Sequence, residues 1–563
     1  MPAADSRGVH PRLHEELQRL YRRSALRRLL GETTKQYGHR ATRVPLTWPH
    51  VNGPSRSQQA SVIAGVLSRL GPIMVFEAII GLEVHIRLKT SSKMFCRCPN
   101  RVGAEPNSLT CPICLGYPGT LPVLNRRAVD LGAMLALAVG AEVRERSSFV
   151  RKSYFSADLP KGYQISQLDH PLAEGGSLGL SPGSPPIRLR QIQLEEDAAK
   201  VSSDGATGTS RLDFNRSGTP LAELVTEPDL RCASQAQDFL LSLRQLLWYT
   251  DTSDARMDLG EMRCDVNVSV RPHGSHELGP RTEVKNLNSF RQVKTAVELE
   301  IARQTRLLDA GGTTKRESRW LDAASGVTRR LRRKESSADY RYLPEPDLPA
   351  LYMSSSRLRR LHGELPELPT ERCRRFVKDL GLASEEAQSL TQTPWVAEYF
   401  EELVAAYPNQ PKTAANWVKN ELLTKARANE TELRLRMPPA RLAELLTQVD
   451  RGRLSRRAGK AVLEEMWLGT ESALEVAKRL GLLQINDRAT LSTWIDEVLD
   501  EHSVQVERFR AGKLQLLSFF IGQVLGKSKG SADPRVVRGM LEQRLLNASH
   551  NETDIDDSDE TPS

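Results

Sequence analysis

The sequence predicts an α+β protein in which a β-rich first half gives way to an all-helical second half ending in a helical tail. Two observations carry this. Between Met74 and about Leu361, apolar and polar residues alternate with the period of half-buried strands, and turn signals break the run. Beyond Leu361 the apolar spacing becomes helical and Ala, Leu, Glu and Arg dominate. The length of 563 residues exceeds what one hydrophobic core usually spans, so several domains are expected.

Residues 1–73 read as an address rather than a fold. They hold eleven Arg and one Lys against four acids, and Leu17, Leu20, Tyr21, Leu26 and Leu29 lie among arginines. That basic amphipathic pattern is the pattern of an organellar transit peptide, mitochondrial by its Arg dominance, with a plastid as the alternative. Residues 74–361 form the β-rich domain, broken by Pro118-Gly119, Lys161-Gly162, Gly175-Gly176 and the loops 181–186 and 272–280. Windows at Val396–Tyr407, Leu442–Val449 and Lys460–Gly469 predict a helical domain over 362–476. Leu514–Val524 belongs to a helical tail domain over 477–547, and the acidic segment 548–563 reads as a solvated, disordered end.

The net charge of +9 is uneven. Residues 1–73 carry +8, which leaves +1 for everything that follows. Nucleic acid is thus permitted as a partner but not demanded. No apolar run approaches the ~20 residues of a membrane helix, so no membrane span is expected. Gly526-Lys-Ser528 ends like a phosphate loop, but Ile521 stands where its first glycine belongs. Gly175-Gly-Ser177 resembles a fragment of an amidase serine signature, yet Leu178 follows, and a covalent hydrolase is poorly supported.

Four cysteines cluster as Cys96-x-Cys98, twelve residues, then Cys111-x2-Cys114. Paired thiolates on two tight turns supply the four tetrahedral ligands of a structural Zn²⁺, with no position left for substrate. Disulfides are the alternative, and a reducing organelle matrix argues against them. Cys232, Cys264 and Cys373 are isolated and expected to be buried. In Gly81–Leu88 the residues Glu83, His85 and Arg87 share one face of a strand, where a carboxylate and an imidazole can share a metal or a proton, as any amphipathic strand can. In Glu261–Arg271 the apolar set is Met262, Cys264, Val266, Val268 and Val270. Arg263, Asp265 and Asn267 lie opposite, and Glu283 and Lys285 share one side of the next strand. Two readings of this hairpin stand side by side, a phosphate-and-Mg²⁺ platform and a solvent face knit by ion pairs. Glu195, Glu196 and Asp197 are hard oxygen ligands suited to Mg²⁺. Lys161, beside a glycine, suits a phosphate or an RNA backbone and equally an ordinary surface turn.

Read together, these segments resemble the GatB component of the glutamyl/aspartyl-tRNA amidotransferase, in its organellar form. The landmarks are Ile80-Gly-Leu-Glu-Val-His85, the cysteine knuckle with Tyr117–Asn125, Asp158–Gln167, Leu194-Glu-Glu-Asp197, Asp213–Pro220, Arg281–Asn286 and Asp339–Asp347. Asn416–Leu422 and Gly522–Leu545 extend the resemblance, which runs in order from about Met74 to Leu546. It implies a cradle-like catalytic domain that works with an amidase and a small third component in a heterotrimer. The amidase releases ammonia from glutamine. ATP with Mg²⁺ then phosphorylates the side-chain carboxylate of misacylated Glu-tRNA(Gln), and ammonia displaces phosphate to give Gln-tRNA(Gln).

The resemblance also weights the residues. It places Glu83 and His85 at Mg²⁺, together with either Glu195 or Glu196, and puts Asp258 where bacterial members often carry Glu. Arg263, Asp265, Asn267 and Lys285 fit the phosphate-facing platform on physical grounds, with Lys161 added as a catalytic candidate. Zinc becomes structural and dispensable across the family, although all four thiols are intact here. The tail presents Lys513, Lys527, Lys529, Arg535 and Arg538 as candidates to grip a tRNA backbone. The competing reading is a zinc-containing RNA-binding protein without transferase chemistry.

Overall fold

A computed structural model of the chain describes residues 76–180, 184–203, 208–322, 325–333, 341–426, 429–484, 487–528 and 531–547. Residues 1–73, read above as an address, the acidic segment 548–563 and Lys529 lie outside the described residues.

The first half is built on one ten-stranded sheet. Strand β1 (Phe76–Arg87) lies at its centre, and its period of two does what the sequence requires. Leu82, Val84 and Ile86 are fully buried on one face while Glu83 and His85 stand on the other. Each of those aliphatics contributes about 1.5–3 kcal/mol by leaving water. The other long strands are β2 (Ile187–Glu196), β3 (Pro220–Thr226), β4 (Met262–Pro272), β5 (Thr282–Leu287), β6 (Glu317–Asp322) and β7 (Val327–Arg333). The order across the sheet is β7-β6-β5-β4-β1-β3-β2, continued by the short strands Ala173–Glu174 and Glu142–Val143. Only β5 and β6 pair in parallel among these neighbours; the rest are antiparallel. The expected long-looped hairpin is β4 with β5, and all five of its apolar residues from Met262 to Val270 are buried.

An antiparallel sheet can leave one face to water, and this one does. Its apolar face is covered by α1 (Arg126–Ala138), α2 (Ala233–Tyr249) and α3 (Phe290–Asp309). Helix α1 begins at Asn125, whose side chain accepts from the amides of Arg127 and Ala128 and donates to the carbonyls of Ser92 and Lys93. Gly132 lets α1 settle onto β2, since a Cβ there would come within 2.8 Å of Leu194 and 2.9 Å of Leu172. Helix α3 is pinned by Glu300, fully buried, which accepts from Arg303, Gln304 and Thr328.

The helical half holds two further cores. One runs from Phe376 to Ala477 and the other from Leu491 to Leu545. The sheet domain grips the first of them through α2, where Gln245 Nε2 and Tyr249 Oη both donate to the carbonyl of Thr391, at 2.7 and 2.9 Å. The Asn416–Leu422 motif forms a π-helical turn, Val418–Leu422, that follows helix Pro411–Trp417. Among the described residues no helix is long and apolar enough to cross a membrane.

Candidate active site and metal centres

The open face of the sheet is a cleft of about 860 Å³. Strand register assembles it. Glu83 on β1 stands opposite Asp265 on β4, and His85 stands opposite Arg263 on one side and Glu223 of β3 on the other. Glu195 of β2 stands opposite Leu221 of β3, which itself pairs with Arg87, so its carboxylate comes round to His85. Side chains from five strands, remote in sequence, therefore share one surface.

Two ligand triads result. His85, Glu195 and Glu223 form one; Glu83, Asp265 and Glu283 form the other; within each, the ligating atoms lie within 4.8 Å of one another. His85 Nδ1 is 3.8 Å from Glu195 Oε1 and has no hydrogen-bond partner although the atom itself is buried. Asn267 Nδ2 donates to Glu83 Oε1 at 2.9 Å while its own Oδ1 is left without a partner. Lys285 bridges Asp265 and, at 3.1 Å, Glu283. Ser318 donates to the far oxygen of Glu283 at 2.9 Å, and Gln193 donates to Glu223.

The electrostatics point the same way. Burial, then the charge of Glu223, pushes Glu195 well above the usual carboxylate range. Burial, then Glu83, raises Glu223. Burial also raises Asp265 against the opposing pull of Lys285. Burial, followed by the cations Arg263, Lys285 and Lys152, holds His85 well below its usual value, so its imidazole is neutral even though about a quarter of its side chain reaches the cleft. For Lys285 burial works against the charge, but Asp265 and Glu283 outweigh it and raise the pKa. A neutral imidazole and carboxylates that repel one another make a site that a divalent cation relieves. The orphaned Nδ1 and Oδ1 atoms and the hard donor set fit Mg²⁺.

The structure sorts the candidates. Alternation along β2 separates Glu195 from Glu196: the first faces His85, the second turns away to pair with Lys161 and accept from the amide of Ile165. Lys161 consequently sits on the knuckle side, lining a smaller cavity with Gly116 and Tyr117, not in the cleft. Asp258 is exposed in the turn 257–260 and joins neither triad, because the turn ends before β4 enters the sheet. Arg263 holds the buried Asp197 at 2.8 Å, with Arg216 at 3.4 Å on the same carboxylate oxygen. Glu223 gives little sign of itself in the sequence, being a single charge within the apolar strand Pro-Leu-Ala-Glu-Leu-Val-Thr226. Glu283 is visible there only as a neighbour of Lys285 on one side of its strand.

Cys96, Cys98, Cys111 and Cys114 converge on one point with their sulfurs within 4.8 Å of one another. Cys111 and Cys114 Sγ are 3.9 Å apart, nearly twice a disulfide bond and close to the ~3.8 Å edge of a tetrahedron of 2.3 Å Zn–S bonds. The hydrogen bond with Cys96 draws the Cys114 thiol down, with the Cys111 backbone and Lys93 adding to it. Gly116 closes the knuckle at φ +70, and a Cβ there would meet Lys161 Cγ at 2.6 Å. The donor set and spacing fit Zn²⁺. Of the three isolated cysteines, Cys264 is buried, Cys373 half-buried and Cys232 exposed at the start of α2, contrary to expectation.

The basic residues of the tail are partly engaged within the chain. Lys513, Arg535 and Arg538 are exposed, but Lys527 is tied to Glu497 at 2.7 Å and Glu501 at 2.8 Å. Arg535 reaches Asp533 and Arg538 reaches Glu542. Gly175-Gly-Ser-Leu-Gly179 does carry the letters of a nucleophile elbow, yet Ser177 opens a two-residue edge strand rather than a strand-to-helix turn.

Residues 78–359 match the family model of the GatB/GatE catalytic domain, and residues 398–545 match a GatB domain. The chain is 42% identical over 477 residues to a Persephonella marina protein, spanning 84% of this chain and 100% of that one. It is 43% identical over 477 residues to a protein of Myxococcus xanthus and 44% over 477 to one of Moorella thermoacetica, covering 99% and 100% of their lengths. All three are named as the B component of aspartyl/glutamyl-tRNA(Asn/Gln) amidotransferase.

Proposed function

The chain belongs to the GatB family, as one component of a multi-subunit tRNA amidotransferase, and from that premise we propose that it activates the side-chain carboxylate of misacylated Glu-tRNA(Gln) with ATP and amidates it with ammonia from a partner amidase. The observation that carries this reading is the pair of triads sharing β1, flanked by Lys285 and Arg263, in a cleft large enough for a nucleotide. A carboxylate is a poor acyl donor and an acyl phosphate a good one, so the site must bring two anions together and stabilise the charge between them. When bound, Mg²⁺ supplies that neutralisation. His85, neutral and accepting at Nδ1, and the carboxylates of Glu195 and Glu223 would hold one ion; Glu83, Asp265 and Glu283 would hold another. Lys285 orients Asp265 and Glu283 and offers its remaining N–H to a phosphate oxygen. Arg263, anchored by Asp197, is a second cation, opposite His85 across the strand register, and Asn267 holds Glu83.

The partners are the amidase and a small third component, which complete a heterotrimer. The Arg-rich, acid-poor composition of residues 1–73 supports work in the mitochondrial matrix. The exposed Lys513, Arg535 and Arg538 support a tail that meets the tRNA backbone. The relatives' names favour this over the RNA-binding reading without transferase chemistry. The test is the reconstituted complex with glutamine, ATP and misacylated Glu-tRNA(Gln). Gln-tRNA(Gln) forming only with ATP supports the reading; a chain that binds tRNA and leaves its amino acid unchanged overturns it. A fluorescent fusion of residues 1–73 tests the compartment, and plastid import would replace the mitochondrial assignment.

A further inference from the structure

Lys93 is among the largest fully buried side chains of the molecule. Among the described residues no carboxylate lies within 4.0 Å of its ammonium. Its Nζ instead stands 3.5 Å from Cys114 Sγ and donates to the carbonyl of Phe214 at 3.2 Å. A fully buried cation without a counter-ion is costly, so one must be near. The four cysteines supply it. Four thiolates around Zn²⁺ carry a net charge of about −2, and Lys93 is a cation in contact with them. Its backbone joins the same unit, since its amide donates to the carbonyl of Cys98 at 2.9 Å.

We infer that Lys93 is the charge-compensating positioning residue of the zinc knuckle, a buried ammonium whose partner is the metal-thiolate cluster through Cys114. The neighbouring loop is held in the same way. Ser217 Oγ donates to the Cys114 carbonyl at 3.1 Å and Met94 donates to the Gly218 carbonyl at 2.7 Å. Gly218 takes the left-handed turn this approach uses, at φ +81. Gly218 in turn donates to the carbonyl of Asp197, the residue that anchors Arg263. Zinc thus fastens the loop that holds Asp197, the anchor of Arg263.

The experiment compares full-length wild type and Lys93→Met, in zinc-loaded and metal-free states, by chelator competition and thermal unfolding. Lys93→Met is expected to weaken zinc affinity by about ten- to a hundred-fold, the usual cost of losing a residue that supports metal ligands. The metal-free variant should unfold at the same temperature as metal-free wild type or higher, because the buried ammonium has then lost its counter-charge. Unchanged zinc affinity overturns the inference, as does equal destabilisation in both states, which would make Lys93 a packing residue only. Absence of zinc from wild type also overturns it. If Lys93→Met does not fold, acylation of Lys93 in wild type decides: labelling that appears only after zinc is stripped supports the inference, and equal labelling in both states refutes it.

Discussion

Glu195 and Glu196 are neighbours on one strand and belong to two different kinds of site. Glu195 is buried on the cleft side of the sheet, 3.8 Å from the neutral imidazole of His85 on β1 and grouped with Glu223 of β3. Glu196 looks the other way, toward Lys161 and the cysteine knuckle. The cleft offers hard oxygen donors, an exposed rim and like charges held close. The knuckle offers four soft sulfurs, closed geometry and a buried ammonium beside them. The difference teaches how one strand can separate two environments: period two sends consecutive carboxylates to opposite faces, and each face presents its own kind of donor set.

The largest expected effect tests the cleft side. Glu83→Ala or His85→Ala should lower ATP-dependent amidation by about a thousand-fold or more, since each removes a ligand from a charge-stabilising centre. Both variants should keep about one zinc per chain and an unchanged circular dichroism spectrum. Normal activity in both would remove the triads from the reaction.

The next contrast is sharper because it lies within one dipeptide. Glu195→Gln should cost at least about a hundred-fold in activity, as a metal ligand does. Glu196→Gln should cost less than about ten-fold in activity but about 3 kcal/mol in stability, because it strands the largely buried Lys161. Equal activity losses in the two variants would break the division between the faces.

The knuckle side is tested by the double variant Cys111→Ser, Cys114→Ser. It should lose about one zinc per chain. At free zinc a thousand-fold above its dissociation constant, the lost stabilisation is about 4 kcal/mol. Activity at low temperature should survive within about ten-fold, since the triads lie across β2. Loss of activity as complete as that of Glu83→Ala would give the knuckle a catalytic part.

The two sites were not equally legible in the sequence. The knuckle could be read from spacing because its four ligands fall within one short stretch, Cys96 to Cys114, and tight turns bring them together without help from the rest of the fold. The triads draw on residues from Glu83 to Glu283, and only sheet register brings them together. Glu83, His85 and Asp265 could be singled out from motif and alternation, and Glu195 only as one of the pair with Glu196. Glu223 could not, for a lone acid in an apolar strand declares no partner until β3 is seen beside β1. Asp258 failed for the converse reason: proximity in sequence to β4 does not carry a turn residue onto its face. Lys161 failed because its turn folds under the knuckle, where Gly116 leaves space for it. The helical character of the second half was readable from spacing, because the 3.6-residue period is a local signal.

The smallest expected effect is a pH slope, and its sign distinguishes the two faces. The folded pKa of Glu195 is raised by burial first and the charge of Glu223 second, and that of Glu223 by burial first and the charge of Glu83 second. In that window the metal-free folded chain binds more protons than the unfolded chain, so stability falls as pH rises from about 4.3 through the raised values. His85 acts oppositely: its folded pKa is depressed, so its contribution is present above about 6.5 and lost as pH falls below that. Above about 6.5 the histidine adds no slope, and the carboxylates alone remain. Mg²⁺ binds only the ionised carboxylates, so its affinity must rise with pH where those protons come off. The thermal shift produced by Mg²⁺ should therefore be larger at about pH 8 than at about pH 6, and Glu195→Gln should remove most of that difference. Zinc at the knuckle, held by thiols outside the cleft, should leave the magnesium difference between the two pH values in place. Equal magnesium shifts at the two pH values would mean that the crowded carboxylates of the cleft are not what the metal neutralises.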